Sequence, residues 1–404
     1  MIIGGGPGGT ACALALQRMA AEMGRNIHLT IVEGKQFVGE MHYNQCLGVL
    51  APPLMDLLWD RLGVKFPYQL SRGEISRYIL HTAREQITLD DKNQPSIALR
   101  RVQYDAYMLE TVKEHGISVV PARAVDLEFH DDRVVVYTDN TPLEADVIVG
   151  AFGMDEGSSA MFDRLTPYHP PKALSSIVTK IHPSPEFMQA FGPCIHAFLP
   201  AIPNIEFGGM TSKGNHLSIN IAGSNVDTNL MVLFLNQPEV CGLLPNTPGS
   251  PGDDLSDIQF YKGRIPRSQA SGYFGDRYVV VGDAAGLVRA FKGKGVTTAV
   301  ITGIRAAETI LQHGISESAF REHYYASNKD IILDLPYGQA MRYFTIFLAR
   351  FHLLDPVFRA AKTNPVLQSA LFDAASAHAP YRDVIKQSLH LNIISAVMRA
   401  WLKP

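Results

Sequence analysis

The sequence has little cysteine, little net charge and no long apolar run. Its four cysteines, Cys12, Cys46, Cys194 and Cys241, are scattered over 404 residues with no C-x-x-C pair. That argues against a disulfide framework, a zinc ribbon or an iron–sulfur cluster, and makes a reducing cytoplasm the expected compartment. A formal net charge of −3 gives no electrostatic footprint for nucleic acid. No run of about 20 apolar residues occurs, so no spanning helix is expected. The 14 histidines show no H-x-x-x-H or H-E-x-x-H spacing, so no metal site is expected. There is no G-x-S-x-G nucleophile elbow, no internal repeat and no long low-complexity segment. The length exceeds one hydrophobic core, so two or three lobes are expected.

What the chain does have is glycine where it is costly. It opens MIIGGGPGGT, although each glycine costs roughly 0.5–1 kcal/mol relative to alanine inside a regular element. The start is too glycine-rich and uncharged for a signal peptide. MII reads as a buried parallel strand, about half the usual length, as if the start were assigned too far downstream or the chain were truncated. TACALALQRMAAEMG reads as a helix and IHLTIVEG as a second strand. The result is β-α-β with G-x-G-x-x-G at Gly4, Gly6 and Gly9, and Glu33 closing the second strand. Gly4 makes the tight turn, Gly6 admits a pyrophosphate, and Gly9 lets helix and strand approach closely. Pro7 and Gly8 belong to the same turn. The helix start offers N–H groups to phosphate, and Glu33 can accept both ribose hydroxyls of an adenosine.

A second element lies far downstream, in DRYVVVGDAAGLVRAFKGKGVTTAVITGIRAAETI. A strand from Tyr278 to Val281 ends in Gly282-Asp283. A loop with Gly286, Gly293 and Gly295 follows, and a helix starts near Val296. A nicotinamide dehydrogenase has no use for this element so far from its fingerprint. A flavoprotein does: Asp283 can bind a ribityl hydroxyl and the helix start can face the flavin.

With these motifs the chain resembles the para-hydroxybenzoate-hydroxylase-like FAD superfamily, and most of all its geranylgeranyl reductase family. RRVQYDAYMLETVKEHGISVV is similar to the Arg-x-x-aromatic-Asp-x-x-Leu segment, with Arg101 and Asp105 in the matching places. EMHYNQCLGVLAPPLMDLL resembles the Cys-Gly stretch after the second strand, with Cys46 as the cysteine, and TGIRAAETI resembles Ser-Gly-x-x-Ala-Ala-Glu. The resemblance covers roughly residues 1–325. It implies FAD held by Gly4, Gly6, Pro7, Gly8, Gly9, Glu33, Arg101, Gly282, Asp283, Gly293, Gly295 and Val296. Cys46 then lies at the flavin side, as a proton donor or a pocket wall, against the plainer reading of a buried small hydrophobe. Lys294, just before a helix start that disfavours cations, either stabilises reduced flavin or is a solvated loop lysine. Arg289 and Lys292 are solvent-exposed or steer phosphate. Three departures stand out. Phe152 replaces the aspartate of an Ala-Asp-Gly motif, the proline beside the flavin is missing from Val288-Arg289-Ala290-Phe291, and IEFGGMTSKGNHLSINIAG lacks the reductases' aromatic segment.

The expected fold is α/β, a Rossmann-like FAD-binding lobe (1–45, 100–165 and 266–330) interleaved with a sheet-based substrate lobe (46–99 and 166–265). A C-terminal helical region, 331–404, follows, with breaks at Pro356, Pro365 and Pro380. GNHLSINIAG alternates like a half-buried strand, and NQPEVCGLLPNTPGSPGDDLSD reads as a surface loop. The helical region has 8 Lys/Arg against 4 Asp/Glu, a net +4. It suits a cap on the substrate lobe, a peripheral membrane contact or an oligomer interface. Three function classes follow: an FAD-dependent reductase of C=C bonds in a hydrophobic, isoprenoid-like substrate, a flavin monooxygenase, and an electron-transfer flavoprotein. No second dinucleotide fingerprint occurs, so the electron donor, NAD(P)H or a reduced carrier, is left open.

Overall fold

The opening run forms a strand of two residues, Ile2–Ile3, at the centre of a six-stranded sheet. Around it the order is Phe274–Gly275, Tyr278–Val280, Ile148–Gly150, Ile2–Ile3, Thr30–Val32, Ser118–Val120. All neighbours are parallel except the edge pair Phe274–Gly275 and Tyr278–Val280. This is a doubly wound arrangement, which offers a crevice outside the carboxyl ends of its strands. The structure is a computed structural model and describes residues 1–35, 46–90, 95–245, 258–289, 291, 295–377 and 379–402.

Three helices matter most to the crevice: α1 (Pro7–Glu22), α2 (Arg101–Glu114) and α3 (Gly295–Gln312). α1 and α3 cross at backbone distance. A Cβ on Gly303 would lie 2.3 Å from the Gly8 carbonyl oxygen, and one on Gly9 would lie 2.0 Å from the Gly4 carbonyl oxygen. Neither contact leaves room for a side chain, because the obstacle is backbone rather than a flexible side-chain end.

The second sheet has seven strands in the order Phe260–Pro266, Ala173–Ile181, Leu217–Gly223, Ile205–Ser212, Cys194–Phe198, Arg77–His81, Gln86–Asp90. The alternation read in GNHLSINIAG is real, but its consequence differs from the half-buried expectation: every residue of Leu217–Gly223 is buried. Leu217, Ile219 and Ile221 pack with Ile177, Met210 and Phe234 in an apolar layer. Ser218 and Asn220 face the other way and are buried too. A central strand covered on both faces has no solvent side for its polar set.

The downstream chain forms α4 (Lys329–Arg350), α5 (Leu354–Ala361), α6 (Pro365–Ser376), α7 (Tyr381–Ser388) and α8 (Leu391–Leu402). Pro365 opens α6 and Pro380 caps α7. Pro356 breaks nothing. It sits in the first turn of α5, where its missing N–H is not needed, and the break falls earlier, at His352 with φ +54°. Pro336 lies inside α4. α5, α6 and α8 cap the strands around Tyr78, Leu80, Ile87 and Leu89. Leu333, Tyr337, Phe344, Phe347 and Phe351 stay exposed along α4. Of the expected surface loop, Pro238–Cys241 is a short helical turn, and 246–257 lie outside the described residues. Among the described residues no helix is long and apolar enough to cross a membrane.

Gly303→Ala should destabilise the protein by about 1–3 kcal/mol through overpacking, even though alanine favours an isolated helix by about 1 kcal/mol. Urea unfolding measures this, and an unchanged midpoint would contradict the tight crossing.

On the opposite face of these strands, beside Phe191 and Phe198, His81 and His196 share a hydrogen bond of 2.8 Å and are both buried. Burial lowers each pKa from 6.5 to about 4, so the fold holds them neutral while the unfolded chain protonates them. Stability is therefore complete above about pH 6.5 and declines as the pH falls towards 4, by about 1–2 kcal/mol per ring at pH 5. His196→Asn should flatten that acid limb in urea titrations at stepped pH.

Candidate functional site

The crevice begins with the turn that enters α1. Gly4 has φ +107°, and a Cβ there would lie 2.5 Å from the Ala151 carbonyl oxygen. Gly6 is the N-cap of α1, with no side-chain cap, and Pro7 opens the helix. A Cβ on Gly6 would meet nothing within 4 Å. The helix start is thus bare and open on the side where an anion would approach. Gly8 and Gly9 are buried in the first turn. Glu33 stands at the end of the second strand. Its two carboxylate oxygens accept from the Gly5 and Lys35 backbone N–H groups, each at 2.7 Å, which fixes the carboxylate beside the turn.

The other side of the crevice is Gly282-Asp283 and the start of α3. Gly282 has φ +63° and donates its N–H to the Thr302 hydroxyl at 3.0 Å. The Asp283 Oδ1 is buried without a partner among the described residues, 3.2 Å from where a Cβ of Gly295 would stand. Burial raises the Asp283 pKa and Arg101 opposes that shift. Val296 is half-buried in the first turn of α3. Gly293 and Lys294, with Lys292, lie outside the described residues. Arg289 is turned towards the C-terminal helices rather than to solvent. It donates to the Ala377 carbonyl at 2.9 Å, pairs with Asp334 at 3.3 Å and stacks on Tyr381. It thereby ties the glycine loop to α4 and α7. Phe152 packs in a buried aromatic cluster with Phe162 and Tyr168, an apolar role that an aspartate could not take.

Arg101, the first residue of α2, pairs with the buried Asp105 through 3.0 and 3.2 Å hydrogen bonds. It is near enough to feel both Asp283 and Cys46, so it stands between the two halves of the site. Cys46 is half-buried. Its Sγ accepts from the Gly48 N–H at 3.2 Å, and its carbonyl accepts from Lys213 Nζ at 2.7 Å. Lys213 is 2% exposed. Burial first, then Lys180, Arg101 and Arg100, lowers its pKa to about 8, against the opposing pull of Cys46. Lys180 is also lowered to about 8, by burial and Arg100.

Sequence reasoning missed Lys180, Lys213 and their polar neighbours. The available signal was the alternation itself, which sets Ser218 and Asn220 on one face. Which strands lie beside them is a matter of register. That register aligns Lys180 with Ser218 and Ser218 with Thr211. Among the described residues no group of three or more His, Cys, Asp or Glu could hold a metal ion.

The residues present fit a flavin dinucleotide: an open glycine cradle, two helix starts, a fixed carboxylate at Glu33 and an unpartnered buried oxygen at Asp283. No protein-family model and no curated protein matches the chain. Solved structures do. A flavoprotein/dehydrogenase from Cytophaga hutchinsonii is 17% identical, with a TM-score of 0.70 over 100% of this chain and 99% of that one. A geranylgeranyl bacteriochlorophyll reductase-like protein from Thermoplasma acidophilum is 17% identical, with a TM-score of 0.69 over 96% and 97%. A variant of the halogenase PltM in complex with FAD is 16% identical, with a TM-score of 0.66 over 95% and 84%. The chain therefore has the fold of the flavoprotein oxidoreductases, the α/β class expected from its opening.

Because the Gly6 position is open, Gly6→Val should leave the stability of the ligand-free protein within about 0.5 kcal/mol while filling the cradle. Urea unfolding of the ligand-free protein checks the first part. FAD retained per chain after gel filtration checks the second, and full retention would contradict the cradle.

Proposed function

We propose that this protein is an FAD-dependent oxidoreductase that reduces C=C bonds of a lipophilic, isoprenoid-like substrate. The observation that carries the reading is the approach of the uncapped start of α1 and the first turn of α3 to one crevice, where the Asp283 Oδ1 is buried with no partner among the described residues. Glu33, Gly6 and the start of α1 would hold the adenosine and pyrophosphate. Asp283, Gly295 and Val296 would face the ribityl chain and the ring. When bound, a flavin supplies hydride chemistry that no side chain can.

The chain's own residues orient the substrate and manage protons and charge. The start of α3 favours negative charge at the ring edge. Arg101, tied to Asp105, holds a fixed positive charge between Asp283 and Cys46. The Cys46 Sγ is held by the Gly48 N–H and can present its proton to the substrate carbon. The monooxygenase alternative is supported by the likeness to the FAD-bound halogenase.

Anaerobic turnover separates the two. Photoreduced protein mixed with unsaturated lipids in the absence of oxygen should be reoxidised, and the product should gain two hydrogen atoms by mass spectrometry. Cys46→Ala should slow that reoxidation by about 100-fold and leave flavin reduction nearly unchanged. A strict oxygen requirement, with an oxygen atom in the product, would replace the reductase with the monooxygenase.

A further inference from the structure

α4 is anchored by its polar residues and bare along its outer arc. Asp330 pairs with Arg305 at 2.8 Å, Asp334 with Arg289 at 3.3 Å, and Arg342 with Glu206 at 2.6 Å. Gln339 adds a hydrogen bond of 3.1 Å to the Arg267 carbonyl. The outer arc carries Leu333, Tyr337, Tyr343, Phe344, Phe347 and the capping Phe351, each between 39% and 62% exposed. With the exposed Ala340, all but Tyr343 recur every three or four residues, which sets them in one stripe along the helix. The rings of Phe347 and Phe351 already touch, their centroids 4.9 Å apart.

Single exposed apolar residues are ordinary, but a contiguous stripe is not. An aromatic side chain carries about 150–250 Å² of surface. At these exposures the arc leaves about 600 Å² of apolar surface in water, the upper end of what a monomer shows. Two such faces would bury about 1,200 Å² when they pair, which reaches the size of a stable protein–protein interface. The composition fits as well. Between Asp330 and Arg350 the charged residues of α4 are Asp334 and Arg342, and both turn inward to the partners named above. Lys329, Asp330 and Arg350 stand at the ends of the stripe, a polar rim around an aromatic centre, as in homodimer interfaces. A lipid surface asks instead for lysines and arginines along the flanks. The surplus cations of the C-terminal region lie elsewhere: Arg359 and Lys362 pair with Glu85, and Lys386 and Arg399 belong to α7 and α8. Because α4 is anchored before a partner arrives, association adds little ordering cost.

We propose that the outer arc of α4 is a homodimer interface, covered by the same arc of a second copy of this chain. The pairing is isologous, so the aromatic stripe of one copy packs on that of the other across a two-fold axis. The proposal stands whether or not the crevice holds a flavin.

Sedimentation of the full chain over a dilution series tests it. The parent should be a dimer at about 50 µM. Phe344→Asp and Phe347→Lys should each weaken self-association by about 100-fold. Leu389→Asp, equally exposed but outside the arc, should leave it unchanged. Tyr337→Ser, a milder truncation, should weaken association by about 10-fold and serves where a charged variant fails to fold. A parent that stays monomeric at the highest concentration overturns the proposal, as does a dimer that none of the arc variants loosens. Flotation with phosphatidylglycerol–phosphatidylcholine vesicles covers the other occupant. A monomeric parent that floats, and stops floating with Phe344→Asp, would give the arc to a lipid surface and overturn the dimer.

Discussion

The contact on which the site depends is the crossing of α1 and α3 at backbone distance. Gly303 against the Gly8 carbonyl lets the two helices approach without intervening side chains, and Gly9 against the Gly4 carbonyl closes the turn that enters α1. That approach brings the start of α1 and the start of α3 to one crevice at the carboxyl ends of the parallel strands. Cys12, in the same crossing, is fully buried, and its thiol is pushed up to about 12 by that burial. It is packing, not chemistry. A wider crossing would separate the Gly6 cradle from Asp283, and no local substitution at either end could restore the distance.

Charge is then arranged across the crevice in opposite senses. On the sheet that carries the glycines stand two carboxylates, Glu33 held by the Gly5 and Lys35 N–H groups and Asp283 buried. On the side of the seven-stranded sheet, Lys180 and Lys213 gather around Cys46 with Arg100. Arg101 stands between, its charge shared with Asp105.

The C-terminal helices serve this arrangement from outside. Arg289 reaches from the glycine loop to carbonyls beyond α6 and to Asp334, whose Oδ2 and Oδ1 also accept from the Tyr381 and Arg382 N–H groups at 3.1 and 3.0 Å. The loop beside the crevice is therefore braced by α4 and α7. α5, α6 and α8 pack on strands of the second sheet, while the exposed aromatics of α4 face away from that core.

Much of this was legible in the one-dimensional pattern. G-x-G-x-x-G between a strand and a helix has few physical uses, because bare backbone, a helix start and a carboxylate at a set distance are the parts a phosphate and ribose cradle needs. Gly282-Asp283 before a second glycine-rich helix start was equally local. The element types around both followed from periodicity, though Thr30–Val32 is shorter than the segment that announced it. What stayed hidden was anything that depends on which strands become neighbours. The alternation in LSINIAG was visible, yet whether Ser218 and Asn220 meet water or Lys180 and Thr211 is decided by register between segments tens of residues apart. Arg289 read as a loop cation because its partners, Asp334 and the carbonyls of Ala377 and Ala379, lie far along the chain. The sequence by itself determined the glycine turn and its helix start, whose contacts are local backbone geometry. Only the tertiary structure decided the character of the facing wall, because buried charge and cross-strand register are properties of segments brought together by folding.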